Sequence, residues 1–233
     1  MENPNLDPEF SQCMENFLEE VRTEPGQQLP ETTRWLAILA TLLGCQGIDE
    51  FRNVLPQALD AGVSPVQAKE VVYQAVDYLG IGRVRPFLGA VNEVLAARGV
   101  ALPLPGQATT TKEDRLEKGE QAQVAIFGEG LRGAWKQGTI QRWLAANCFG
   151  DFYTRTGLSP NEREMITFCF LAAQGGCEPQ LTAHANGNMN LGNGEAFLTR
   201  VVLQCLPYIG YPRSLNALAC VQKAAQARKG GAL

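Results

Sequence analysis

The chain repeats itself. Shifted by 130 residues, its first part aligns with its second without a gap. Gly62 falls on Gly192, Val71-Val72 on Val201-Val202, Gln74 on Gln204, Tyr78 on Tyr208, Gly80 on Gly210, Arg83 on Arg213 and Leu88 on Leu218. Unlike residues that recur at one shared offset over some forty positions mark the duplication of a structural unit. The fold therefore has to be one that a small unit completes by packing against its own copy.

Hydrophobic periodicity makes that unit helical. Thr32 to Leu43 is apolar nearly all round, as a helix buried on every side must be. Phe51, Val54, Leu55, Ala58 and Leu59 recur at helical spacing between Asp49 and Ala61, and Gly62 follows as a terminating glycine. Ser64-Pro65 reads as an N-cap followed by proline at the first helical position, opening a helix that runs to about Tyr78. Val84 to Ala97 is the last helix of the unit. The second copy repeats the pattern with Glu162–Ala173, Glu178–Met189, Gly194–Leu206 and Arg213–Arg228. Ser159-Pro160 opens the first of these in the same way.

Outside the repeat, Asp7 to Val21 is an amphipathic helix, and Gln121 to Phe149 holds one or two more. No segment shows the alternation of a half-buried strand. The expected class is all-α, with a first unit over 1–104, a connector over 105–117 and a second unit over 118–233. Each unit is too apolar on several faces to stand alone, so the two should pack face to face.

Composition narrows the function. The net charge is −4 among 233 residues, which gives no reason to expect nucleic acid or an anionic membrane as partner. No run approaches the roughly 20 apolar residues of a membrane span. The acidic, polar start MENPNLDPEF lacks the marks of a secretory leader. Seven cysteines, an odd number set mostly in apolar runs, read as free thiols in a reducing compartment, so the expected location is cytoplasmic. With a single histidine and no Cys-x-x-Cys, no metal site is expected.

The chemistry concentrates in residues 168–192. Glu178-Pro179 reads as a helix start, with Cys177 at or beside its N-cap. Gln180, Leu181 and His184 follow Cys177 at three, four and seven residues, on one helical stripe. A thiol at a helix N-terminus has a lowered pKa in principle, and a histidine one turn on can carry a proton. By residue type alone, Cys177 reads equally as a small core residue, and Glu162, Arg163 and Glu164 as an ordinary helix start.

GDFYTRTGLSPNEREM (150–165), the buried helix after it, the Cys/His helix and YIGYPRSLNAL (208–218) together resemble the carboxymuconolactone decarboxylase family. That family includes the γ-carboxymuconolactone decarboxylases and the alkyl hydroperoxidase D-like proteins. The resemblance covers essentially the whole chain, once per half, and implies all-helical units that assemble as homo-oligomers, here a dimer or trimer. In the peroxidase branch the motif is Cys-x-x-Cys-x-x-x-His with a preceding glutamate. Cys177 and His184 match it, Gln180 replaces the second cysteine, and Glu164 is the best match for the glutamate. In the first half Gly47, Glu50 and Val54 stand at the corresponding positions.

The resemblance implies one active pocket per chain, acting on a small-molecule substrate without any cofactor. On the decarboxylase reading His184 is the proton donor-acceptor, oriented by Glu164 or Glu178, and Arg155, Arg163 and Gln180 bind substrate. Two alternatives stay open. One is a thiol peroxidase using Cys177 with a remote resolving thiol such as Cys205 or Cys169. The other is a non-catalytic oligomeric ligand-binding protein.

Overall fold

The computed structural model describes residues 6–230; the first residues of the polar start and the last three of the tail, expected to fray, lie outside them. Among the described residues there is no strand. Helices α1 (Pro8–Thr23), α2 (Glu31–Gly44), α3 (Ile48–Asp60), α4 (Pro65–Leu79) and α5 (Ile81–Ala97) make the first unit. After the connector comes α6 (Arg115–Phe127). Helix α7 (Thr139–Trp143) runs on into a wider, π-helical stretch, Leu144–Tyr153. Helices α8 (Pro160–Gln174), α9 (Glu178–Asn190) and α10 (Glu195–Lys229) complete the chain. No helix among the described residues is long and apolar enough to cross a membrane.

The duplication is visible in the backbone. Helices α3 and α9 span the same positions of the repeat, residue for residue. Gly80, between α4 and α5, has φ 78°, and its counterpart Gly210 has φ 73°. A single left-handed residue, cheap only for glycine, redirects the chain at both places. The two helices expected at 194–206 and 213–228 are both present within α10, which Gly210, with non-helical backbone angles, divides at a kink. For the same reason α5 starts at Ile81, earlier than its apolar spacing suggests. Ser64 and Ser159 cap α4 and α8, each with a reciprocal bond from the residue three further on, Gln67 or Glu162.

Helices α2 and α8 form the centre of the molecule and pack on each other. Leu36, Ala37, Ile38, Leu39, Ala40 and Leu43 of α2 are wholly buried, as are Ile166, Phe170 and Ala173 of α8. Each large side chain among them contributes roughly 1.5–3 kcal/mol by leaving water. Around this centre the copies interlock: α4 packs on α8, and α10 packs on α2. The repeated glutamines tie the exchange. Gln74 Oε1 accepts from Arg163 Nη1 at 2.7 Å, and Gln204 Oε1 accepts from Arg34 Nε at 3.0 Å.

One feature breaks the symmetry. The connector gives way to a helix at Arg115, three residues inside the expected 105–117 segment, and this helix, α6, packs along the π-helical stretch. Gly119 and Gly150 permit the approach, because a Cβ on either would overlap a backbone carbonyl of the other element. In the first unit α1, at the position equivalent to α7 and its extension, has no buried residue among those described. A pocket therefore forms over α9, under α6 and the π-helical stretch.

Candidate active site

The pocket holds about 690 Å³ and is lined by both units and by α6. Helix α4 supplies Asp77 and Tyr78, α6 supplies Gln123 and Phe127, and the π-helical stretch supplies Leu144 and Phe149. From α8, α9 and the turn between them come Leu171, Gln174, Cys177, Gln180 and His184. Among the described residues that line it there is no lysine or arginine.

His184 Nδ1 lies 2.9 Å from Glu164 Oε2. Glu164 is wholly buried and His184 nearly so, with 12% of its side chain exposed. A carboxylate oxygen only accepts, so Nδ1 carries the hydrogen and Nε2 is left for the cavity. The ring is held edge-on between Tyr78, at 5.5 Å between centroids, and Phe127, at 5.4 Å. Asn188 ties α9 to α8 by donating to the backbone oxygens of Glu164 and His184, at 2.8 and 2.9 Å. Gly187 makes room for the pair, since a Cβ there would stand 2.8 Å from both Glu164 Oε2 and Phe127 Cε1.

Behind Glu164 lies a chain of hydroxyls. Tyr153 donates to Glu164 Oε1 at 2.7 Å, which leaves its own oxygen to accept from Tyr78 and Thr167, both at 2.8 Å. Gln74 Nε2 closes the network on Thr167 at 2.8 Å. Burial raises the pKa of both tyrosines well above the usual phenol value, so they remain donors. Glu70, Gln74 and Tyr78 fall at i, i+4 and i+8 on α4, a polar stripe that faces α8. Tyr78 carries that stripe into the pocket of the other unit.

The expected site residues divide into two groups. Cys177, Gln180 and His184 line the cavity, with Glu164 behind the histidine, while Leu181 of the same stripe goes to the core. Glu178 turns away to a separate groove with Thr182, Asn216 and Lys223, and is not in the cavity. Arg155 and Arg163, expected to hold a substrate carboxylate, do not line it either. They pair instead with Glu70, at 2.8 and 3.0 Å. Arg163 is wholly buried and also donates to the backbone oxygens of Arg155 and Thr156. A buried carboxylate between two guanidiniums is a structural tie, and removing one partner would strand a charge.

The thiol also departs from expectation. Burial raises the pKa of Cys177 above the ordinary thiol value, with the Gln174 amide pulling the other way. The helix start does not overcome that desolvation. Its Sγ approaches the backbone oxygen of Leu171 at 3.4 Å. Cys169 and Cys205 are buried in the core.

Tyr78, Tyr153, Phe127 and Asp77 had no expected role in the sequence. Tyr78 left a trace, as one of the residues the repeat preserves. Phe149 and the α6 residues left none, because their place depends on how α6 folds back.

Two interlocked copies of a helical unit, with a buried Glu–His pair at a cavity in the second, define a duplicated all-helical protein. The chain belongs to the carboxymuconolactone decarboxylase family, whose model matches it twice, over residues 8–93 and 139–223. No curated protein matches it significantly. The two matches pair α1 with α7 and its extension, and they leave α6 outside both.

Proposed function

We propose that the protein is a decarboxylase-like lyase of a small unsaturated lactone or carboxylic acid, with His184 as the proton donor-acceptor. The observation that carries this reading is the 2.9 Å contact between His184 Nδ1 and buried Glu164 at the cavity wall. It orients the ring and leaves Nε2 for a substrate carbon. Family membership supports the reaction class.

The walls favour loss of a carboxylate. Leu131, Leu144, Phe127, Phe149 and Leu171 offer it no compensating cation. A carboxylate against such a wall is poorly solvated, and departure of neutral CO2 relieves that cost. The substrate's remaining polar atoms have three amides to meet, Gln123, Gln174 and Gln180. Gln123 and Phe127 come from α6, outside the family matches, which makes that helix the element that tailors the pocket to its substrate.

The test is CO2 release from γ-carboxymuconolactone by the purified protein, with His184→Ala beside it. Turnover that collapses in the variant supports the reading. A folded protein inert towards this and related unsaturated lactone acids overturns it.

A further inference from the structure

Asp77 stands at the wall between the cavity and a neighbouring surface groove lined by Ile81, Ile140 and Trp143. Its Oδ2 is shut off from solvent and meets no hydrogen-bond donor among the described residues. Its titratable neighbours offer no cation in contact. Tyr78 follows it on α4, and Cys148 and Asp151 face it from the π-helical stretch, the Cys148 thiol hydrogen-bonding the carboxyl group and partly opposing the upward shift that burial and Asp151 impose. Asp151 is already paired with Arg115 of α6. Across the cavity α9 presents Cys177 and His184, with Glu164 engaged behind the histidine. A carboxyl group with an unpaired, enclosed oxygen beside another carboxylate is cheapest as the neutral acid. Neutral, it has a hydrogen to donate and lacks only an acceptor.

We infer that Asp77, contributed by the first unit, is the acid of the second unit's site and donates to the substrate's carbonyl oxygen while His184 serves its carbon. The inference rests on the acid–base reading above and names the group it acts on: an uncharged carbonyl conjugated to the bond that breaks. In the step, the carbon–carboxylate bond cleaves and its electron pair moves through the double bond onto the carbonyl oxygen. That oxygen takes the hydrogen bond, or the proton, of Asp77. His184, loaded from solvent, delivers a proton to the carbon, and collapse of the enol returns the Asp77 proton. The net change is one proton taken up and one CO2 released. Burial and the Asp151 charge push the Asp77 carboxyl up to about 7, which keeps much of it protonated in neutral solution.

The experiment does not require turnover. Binding of an uncharged unsaturated γ-lactone is titrated calorimetrically at pH 6 and pH 8.5 for the wild-type protein, Asp77→Asn and His184→Ala. Expected is weaker binding at the higher pH in wild type and in His184→Ala, by roughly tenfold if one hydrogen bond is lost. Asp77→Asn, which keeps an amide donor of similar size, should bind equally at both values. Equal binding by wild type at the two pH values, or none at either, overturns the proposal. So does a pH effect that survives in Asp77→Asn and vanishes in His184→Ala. If the lactone binds as expected but no lactone acid is decarboxylated, the reaction reading fails while the assignment of Asp77 as donor stands.

Discussion

Glu164 Oε2 and His184 Nδ1 stand 2.9 Å apart, joining the core helix α8 to the cavity helix α9. The carboxylate fixes the tautomer and the angle of the ring. Glu164→Gln preserves volume but can present its amide N–H to Nδ1, which turns the lone pair to the wrong nitrogen. The expected outcome is a loss of kcat on the order of 10²–10⁴-fold with KM little changed. Steady-state kinetics on the lactone acid used for His184→Ala would check it. An unchanged kcat would mean that the ring needs no orienting partner.

Gly187 sets how closely α9 can approach that pair. A methyl group there would press on Glu164 and Phe127, both fixed by other contacts. Overpacking of this kind costs roughly 1–3 kcal/mol. Gly187→Ala should therefore lower the denaturant midpoint and reduce activity further than the stability loss explains. Chemical denaturation and kinetics on the same preparation separate the two effects.

Much of the fold is legible in the sequence because it follows from local rules applied twice. Apolar spacing, the two Ser-Pro starts and the glycines at the repeat offset place the helices to within a few residues. The exceptions have physical causes. Gly80 turns the chain within one residue, so α5 begins at Ile81, before the apolar spacing does. The π-helical stretch and α6 interlock through Gly119 and Gly150, a long-range contact that no periodicity encodes. The site was half legible for the same reason. His184 and Glu164 lie in segments that carry the family resemblance. Arg155 and Arg163 have the right chemistry for a carboxylate, but α4 brings Glu70 to them first. Asp77 and Tyr78 sit in the first unit and reach the second only because the copies exchange helices.

Asp77 also makes stability depend on pH. Its folded pKa, about 7, lies above the ordinary aspartate value of 3.8, so between these values the folded state holds a proton that the unfolded chain has lost. Stability from this group is full below about pH 4 and declines as pH rises towards 7, after which the loss is constant. Asp77→Asn has no proton to lose. Relative to wild type it should gain on the order of 2–4 kcal/mol at pH 8 and nothing at pH 3.5. Urea denaturation at the two pH values measures the difference, and a gain of the same size at both would mean that Asp77 is not shifted by its surroundings.

Cys177 lines the same cavity, yet its surroundings favour the thiol. Burial raises its pKa above 9.0, so the reactive thiolate should be scarce at neutral pH and accumulate only in more alkaline solution. Gln180 stands where a resolving thiol would have to be, and a peroxide-oxidised Cys177 would lack a neighbour on its helix with which to close a disulfide. Alkylation by iodoacetamide, followed by peptide mass, should therefore be slow at pH 7 and accelerate without a plateau through pH 9. Cys177→Ser should retain the decarboxylation that His184→Ala loses, with kcat within about threefold of wild type on the scale of a contact that only shapes the wall. Fast alkylation at pH 7, together with loss of activity in Cys177→Ser, would instead make the thiol the nucleophile and His184 its base.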